Sequence, residues 1–373
     1  MRPTRPPTMI EVPREMRTSH ARLHASACVA TTAHQAVRAI TTMRGNGMAS
    51  SRHEVAAPAI TTNAASRREG ASANATLASL YLLASMSELV ADLSHNALIS
   101  VSGDDAAAFL HGQFTNDVEA LAEGSAQWNG WCSPKGRLLA TFLLIRRRDE
   151  FLILLPSEIA ASIAKRLAMF VLRSKVKIRD VSGDYARRGI LGRGAHPQPM
   201  RVEEREGSLM IALDDERIVV LAPPASAPAP NTSTDAWELA SIRSGVPVIT
   251  TATQEAFVPQ MANFDLVGGV SFKKGCYPGQ EIVARMQYRG GLKRRMALAH
   301  IAGRERPQPG ENVYSGAFGD QSAGTIVNAA PAPEGGFDAL VVAQVEGLER
   351  RDLRWKSPDG PAIEVRSYPP LAA

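Results

Sequence analysis

Up to about residue 87, apolar and polar positions follow neither a helical nor a strand period. Stretches such as "RPTRPPT" and "TTNAASRREGASANAT" mix Arg, Pro, Ala, Ser and Thr, a composition that cannot bury enough apolar surface to offset chain entropy. Residues 1–87 therefore read as a disordered extension, or as one that precedes the true start, since Met86 directly precedes the first periodic pattern. The Arg- and Ser-rich, acid-poor character also has the look of an organelle transit segment.

Beyond it the pattern becomes that of a mixed fold. "NALISVSG" (96–103) predicts a strand, and "DDAAAFLHGQFTND" a helix capped by Asp104 with Ala106, Leu110 and Phe114 on one face. "RLLATFLLIRR" and "EFLILLP", separated by a short polar turn, predict a hairpin. A helix follows from near Ser157 with Ile159, Ile163, Leu167 and Phe170 as its buried stripe, and "KVKIRDVS" returns as a strand. Short strand-like runs fill 186–222, and a Pro/Ala/Ser loop covers 223–235. "AWELASIRSGVP" predicts a helix stopped at Gly245. From "LKRRMALAHI" onward only short strands and turns appear, as in a small β-barrel or sandwich. The divisions are 1–87, 88–185 (α+β), 186–290 (α+β) and 291–373 (β-barrel).

The net charge of +5 would suggest a polyanionic partner, but its location changes that inference. Residues 1–75 hold ten Arg and no Lys against four Glu and no Asp, leaving residues 76–373 at about −1. The body of the chain is near neutral, and direct nucleic-acid binding is not expected from global charge. No run approaches the roughly 20 apolar residues of a membrane span, and no membrane role is expected. Three cysteines, Cys28, Cys132 and Cys276, lack metal-ligand spacing, so no metal site is expected. Their odd number suits a reducing compartment: the cytoplasm, or the mitochondrial matrix in a eukaryote.

Four stretches carry candidate chemistry, each with a plainer reading. Cys276 precedes a predicted helix whose turn is Pro278 and Gly279 and whose first turn holds Glu281. A thiol at a helix start flanked by Lys273, Lys274 and Arg285 suits a reactive cysteine; the plainer reading is a packed Cys in a turn. Arg285, Arg289, Lys293, Arg294 and Arg295 could hold a polyanion, or form a solvated face. Trp128 and Trp131 precede a Pro-Lys-Gly-Arg turn, so an indole with Lys135 or Arg137 suits a flat heterocycle with an anionic tail, or else two core-edge tryptophans. "FTND" (114–117) either caps a helix with a left-handed Asn116 or points Asn116 and Asp117 into a pocket. Rossmann, P-loop, zincin and serine-hydrolase motifs are absent from the sequence.

"KKGCYPGQEIVAR" resembles the signature of the YgfZ-type folate-binding proteins, relatives of the glycine-cleavage T-protein. "FLHGQFTNDV", "WCSPKGRLLATFLL", "KRLAMFVLRSKVKIRDVS", the stretch "RSGVPVITTATQEAFVPQMANFDLVGGVSFKKGCYPGQE" and "GLKRRMALAHI" resemble the same family, in order, over roughly residues 90–350. The resemblance implies two α+β domains and a C-terminal β-barrel around a central opening that binds tetrahydrofolate. It also implies a part in assembling or maintaining iron-sulfur enzymes, tRNA-modifying ones included. It places the family's cysteine motif on Lys274, Gly275, Cys276, Tyr277, Gly279, Gln280 and Glu281.

Where T-proteins carry an Asp-Asp pair needed for aminomethyl transfer, this chain has Ala140 and Thr141, neither able to carry the charge or the proton. The expectation is therefore a monomeric folate-binding accessory factor with Cys276 as its working thiol. Lys274, Arg285 and Lys135 would hold an anionic end, and Trp128 or Trp131 with Tyr277 would flank the pterin. The rivals are a folate-dependent transferase using Cys276 or Glu281, and a module binding tRNA through Arg289–Arg295.

Overall fold

The structure, a computed structural model, describes residues 88–192 and 198–368; the extension read as disordered lies outside them. Sixteen strands, β1 to β16, form three antiparallel sheets among the described residues. The first sheet has the order β3 (Ser125–Cys132), β4 (Leu138–Arg146), β5 (Glu150–Pro156), β2 (Asn96–Ser102), β6 (Lys177–Asp180). The predicted hairpin is β4 and β5, with Leu144 opposite Ile153.

The continuous apolar character of these two strands has a physical cause. Phe142, Leu144, Phe151 and Ile153 face one core, whereas Leu143, Ile145, Leu152 and Leu154 face another. Both faces of the sheet are covered, so the usual alternation with polar residues disappears. One cover is the helix α2 (Ser157–Ala168), whose stripe is Ile159, Ile163 and Leu167. It ends before Phe170, which is 43% exposed instead of completing the stripe. The other cover is the second sheet, in the order β1 (Leu89–Asp92), β7 (Ala186–Leu191), β10 (Arg217–Ala222), β9 (Ser208–Ala212), β8 (Val202–Arg205). Leu209, Ile211, Val219 and Leu221 supply its inward face, each contributing on the order of 1.5–3 kcal/mol by burial.

The helix expected from Asp104 is shorter and starts later. It is α1 (Ala106–His111), with Asp105 at the cap position and no side-chain capping bond. Both carboxylates are turned to a neighbouring turn instead: Asp105 accepts the Lys175 N–H at 2.6 Å, and Asp104 pairs with Lys175 Nζ at 3.1 Å. Phe114 lies beyond the helix, bridged to Trp131.

Helix α3 (Thr234–Arg243) ends as expected at a left-handed Gly245 and packs on the third sheet. That sheet has the order β15 (Leu353–Trp355), β12 (Asn312–Ser315), β13 (Gly324–Pro331), β14 (Phe337–Gln344), β11 (Arg294–Ile301), β16 (Ile363–Ser367). Arg243 reaches the fully buried Asp338 at 2.7 Å, and Arg366 and His300 reach the same carboxylate, each at 3.0 Å. His300, Glu334 and Asp338 are the one group of three metal-competent side chains among the described residues. Two guanidinium groups already neutralise its carboxylates.

Candidate functional site

The cysteine motif and the Pro-Lys-Gly-Arg turn, far apart in sequence, interlock. The turn closes through Gly136 N–H to Ser133 O and Ser133 N–H to Arg137 O, both 2.8 Å. Its Gly136 (φ +68°) lies against Gly279 (φ +81°), the cap of helix α4 (Gln280–Arg289). A Cβ on Gly279 would stand 2.4 Å from Ser133 O and 2.6 Å from Gly136 Cα, and one on Gly136 would stand 2.7 Å from Ile282 Cβ. Both positions therefore need glycine for space as well as for φ. Val283 anchors the helix, fully buried with Cys132, Leu138 and Phe264, while Glu281 occupies the first turn, where a carboxylate suits the helix dipole.

Lys274 is 7% exposed. Its ammonium donates to the carbonyls of His111, the last residue of α1, and Phe114, just beyond it, and lies 4.9 Å from the Tyr277 ring centroid. Burial pulls its pKa down from 10.5 to about 8, while the carboxylates of Asp117 and Glu119, and Cys276 as its thiolate, act in the opposite sense. The anion-holding role expected for Lys274 is thus largely taken up by backbone carbonyls. Tyr277 is buried beneath it, and burial pushes the phenol well above its ordinary range. Cys276, in contrast, is exposed. Cys132 is enclosed, and burial drives its thiol far up, leaving it inert at neutral pH.

Two further side chains border this loop. His111 Nδ1 lies 3.2 Å from Asp117 and 3.9 Å from Glu119, and its Nε2 lies beside Gly275. Neither His111 nor Glu119 stood out in the sequence, because a lone His and a surface Glu carry no spacing signal.

Asn116 is not in the left-handed conformation of a cap, and it does not line the cleft described below. Its Nδ2 donates to Trp128 O (2.9 Å) and Gly268 O (2.7 Å), and its Oδ1 accepts the Asp117 N–H. It ties β3 to the 268–269 loop, as Thr115 Oγ1 does by donating to Gly269 O. Arg137 donates to the carbonyls of Glu255 and Ala256, and Arg295 pairs with Asp265 at 3.1 Å. Lys135, Arg285 and Lys293 are exposed. The Arg289 side chain lies outside the described part.

The two tryptophans separate. Trp131 is 1% exposed, edge-on to Phe114 and Phe170, which removes it from any stacking role. Trp128 is half-buried and lines a cleft of about 760 Å³. The cleft walls are largely apolar, with Leu93, Leu143, Leu213, Val219 and Trp237 among them. Its polar groups include His95, Glu158, Glu238 and Arg306. Arg306 is itself paired with Asp235 at 2.8 Å and Glu238 at 2.5 Å. Thr141 also faces the cleft, but its hydroxyl donates to Pro247 O (2.8 Å) and accepts the Ile249 N–H (3.1 Å). Ala140 is fully buried. Neither position carries a carboxylate, and the one hydroxyl is committed to backbone groups on both sides.

Stacked antiparallel sheets around a cleft, with a six-stranded third sheet, are the architecture of the glycine-cleavage T-protein class. Residues 85–197 match the GCVT N-terminal domain. The glycine cleavage system aminomethyltransferase T from Bartonella henselae superposes with a TM-score of 0.62, covering 75% of this chain and 85% of that one. At 14% identity this likeness shows the fold alone. The tRNA-modifying protein YgfZ of Colwellia psychrerythraea is 30% identical over 266 residues, 65% of this chain and 82% of that protein. YgfZ of Edwardsiella ictaluri is 30% identical over 64% of this chain and 79% of its own length. The chain belongs to the YgfZ family.

Proposed function

We propose that this chain is a tetrahydrofolate-binding accessory factor for the assembly or maintenance of iron-sulfur enzymes, tRNA-modifying ones among them, with Cys276 as its working thiol. The cleft carries the folate half of this reading. Its volume lies within the range of small-molecule sites, and its walls are apolar with a few convergent polar groups. Trp128 offers a flat face to a pterin, and Glu158 or Glu238 offers acceptors to its N–H edge. Folate fits these residues as a bound ligand, and it would supply a one-carbon carrier. What Thr141 and Ala140 withhold is the acid-base partner, which favours binding over transfer.

The thiol half rests on contrast. Cys276 is the exposed cysteine among the described residues, presented on a loop held by Lys274 and by the glycine interlock. It does not line the cleft. Titration of tetrahydrofolate into the full chain, followed by calorimetry, tests both halves. Wild type and Cys276→Ala should bind alike, and Trp128→Ala should bind about tenfold more weakly through loss of aromatic contact. Failure of the wild type to bind folate would overturn the folate reading. In cells deprived of the native protein, Cys276→Ala should fail to restore iron-sulfur enzyme activity. Full restoration would remove the thiol from the function, and turnover of a one-carbon donor would favour the transferase instead.

A further inference from the structure

The near-neutral balance of residues 76–373 conceals a segregated face. Between Ile159 and Arg179 the chain carries Lys165, Arg166, Arg173, Lys175, Lys177 and Arg179 and no acidic residue. This stretch runs from the C-terminal half of α2 through a turn into β6, an edge strand of the first sheet, and α2 packs across β6. Lys177 and Arg179, on one side of β6 (Lys177–Asp180), flank the half-buried Ile178, and Lys175 continues the alternation just before the strand, so three exposed cations follow one another at two-residue spacing. Two residues of strand span about 6.6–6.8 Å, close to the separation of successive phosphates along a nucleic-acid strand. Lys175 is partnered by the exposed Asp104; the other five form no ion pair among the described residues.

The turn between the helix and the strand adds a second observation. Met169, Phe170 and Leu172 are 63%, 43% and 91% exposed, and Leu172 has φ +28°. A bulky leucine held at positive φ and presented to water is unusual for a turn that only connects two elements. Exposed apolar side chains beside a linear cationic array are what an unpaired nucleic-acid segment uses, with bases against the apolar groups and phosphates on the cations.

We propose that this face binds RNA through a single-stranded segment, whose phosphates lie along β6 and whose bases pack on Phe170 and Leu172. This is independent of the folate cleft, so failure of either reading leaves the other standing.

The test uses full-length protein and bulk tRNA, with fluorescence anisotropy measured across a salt series. The triple variant Arg173→Glu, Lys177→Glu, Arg179→Glu should bind at least tenfold more weakly. It should also lower the slope of log affinity against log salt by about 2–3, at roughly 0.7–0.9 for each phosphate no longer neutralised. Phe170→Ala should weaken binding about fivefold or more without changing that slope. The pair Arg285→Glu, Lys293→Glu, at exposed positions elsewhere in the sequence, shifts the net charge by −4 against −6 in the triple variant, keeps the basic N-terminal residues, and should bind like wild type. All the substituted side chains are exposed, and thermal unfolding checks that each variant folds. The proposal is overturned by unchanged affinity in the triple variant, or by an equal loss in the control pair. Retained tRNA binding with lost binding to vesicles of phosphatidylglycerol and phosphatidylcholine would also overturn it, in favour of a lipid surface.

Discussion

The interlock of Gly136 and Gly279 can be tested by adding a single methyl group. Gly279→Ala places a Cβ 2.4 Å from Ser133 O and 2.6 Å from Gly136 Cα, and these are backbone atoms that no side-chain rotation can move aside. Two costs are incurred. Holding an alanine at φ +81° costs about 1–2 kcal/mol, and forcing the helix start away from the turn costs about 1–3 kcal/mol more. The expected total is about 2–5 kcal/mol. Gly245→Ala isolates the first cost, because Gly245 has φ +71° with nothing within 4 Å of its added Cβ. That variant should lose only about 1–2 kcal/mol.

Urea unfolding of both variants, read as midpoint shifts at a common slope, gives the comparison. The reaction rate of Cys276 with a disulfide reagent reports separately whether the loop has moved. If Gly279→Ala is no less stable than Gly245→Ala, the two motifs do not interlock, and the account of how the thiol loop is positioned fails.

Lys274→Met should change the pH dependence of stability. Because burial holds this ammonium at about 8 rather than 10.5, the unfolded chain binds the proton more tightly. The cost of burying the charge is fully present below pH 8 and is released as pH rises towards 10.5. Wild type should therefore gain stability over that window relative to Lys274→Met, by about 1–2 kcal/mol after discounting for solvent access; parallel pH profiles would contradict this. Thiol titration of the folded protein should lose one fast equivalent in Cys276→Ser and none in Cys132→Ala, and a fast-reacting Cys132 would contradict its burial. Arg243→Met should cost about 1–3 kcal/mol in urea unfolding, because Asp338 keeps Arg366 and His300 but loses a 2.7 Å partner in a fully buried position. A loss under about 0.5 kcal/mol would mean the remaining partners suffice.

Local elements were legible wherever pattern and packing agree. The β4–β5 hairpin, α2, and α3 with its stop at Gly245 all follow from apolar runs and turn residues, and those elements are present. Asp104 misled because a carboxylate before an apolar run is a cap only if no other donor claims it, and here Lys175 does. Trp128 and Trp131 show the limit at the site. Three residues apart, they look equivalent in sequence, yet Trp131 falls among Phe114, Phe142 and Phe170 while Trp128 borders the cleft. Only the pairing of β3 with β4 and the packing of the second sheet decide that. Lys274 reads as a free cation for the same reason. Its partners are backbone carbonyls some 160 positions away, and no side-chain pattern encodes them.

The relation between cleft and thiol follows from the same hairpin. Trp128 on β3 and Thr141 on β4 border the cleft, and the turn joining those strands, 133–137, is what Gly279 packs against. A single rigid element therefore positions both sites. The turn is closed by two backbone hydrogen bonds, fastened to residues 255–257 through Arg137 and the Leu138 N–H, and filled to backbone contact at the two glycines. A joint closed and filled in this way is rigid, and coupling through it would need a demonstrated two-state element. The reaction rate of Cys276 with a disulfide reagent should therefore be the same with and without added tetrahydrofolate, and a changed rate would show that the turn transmits binding. The hairpin thus fixes the separation and orientation of the cleft and the thiol loop.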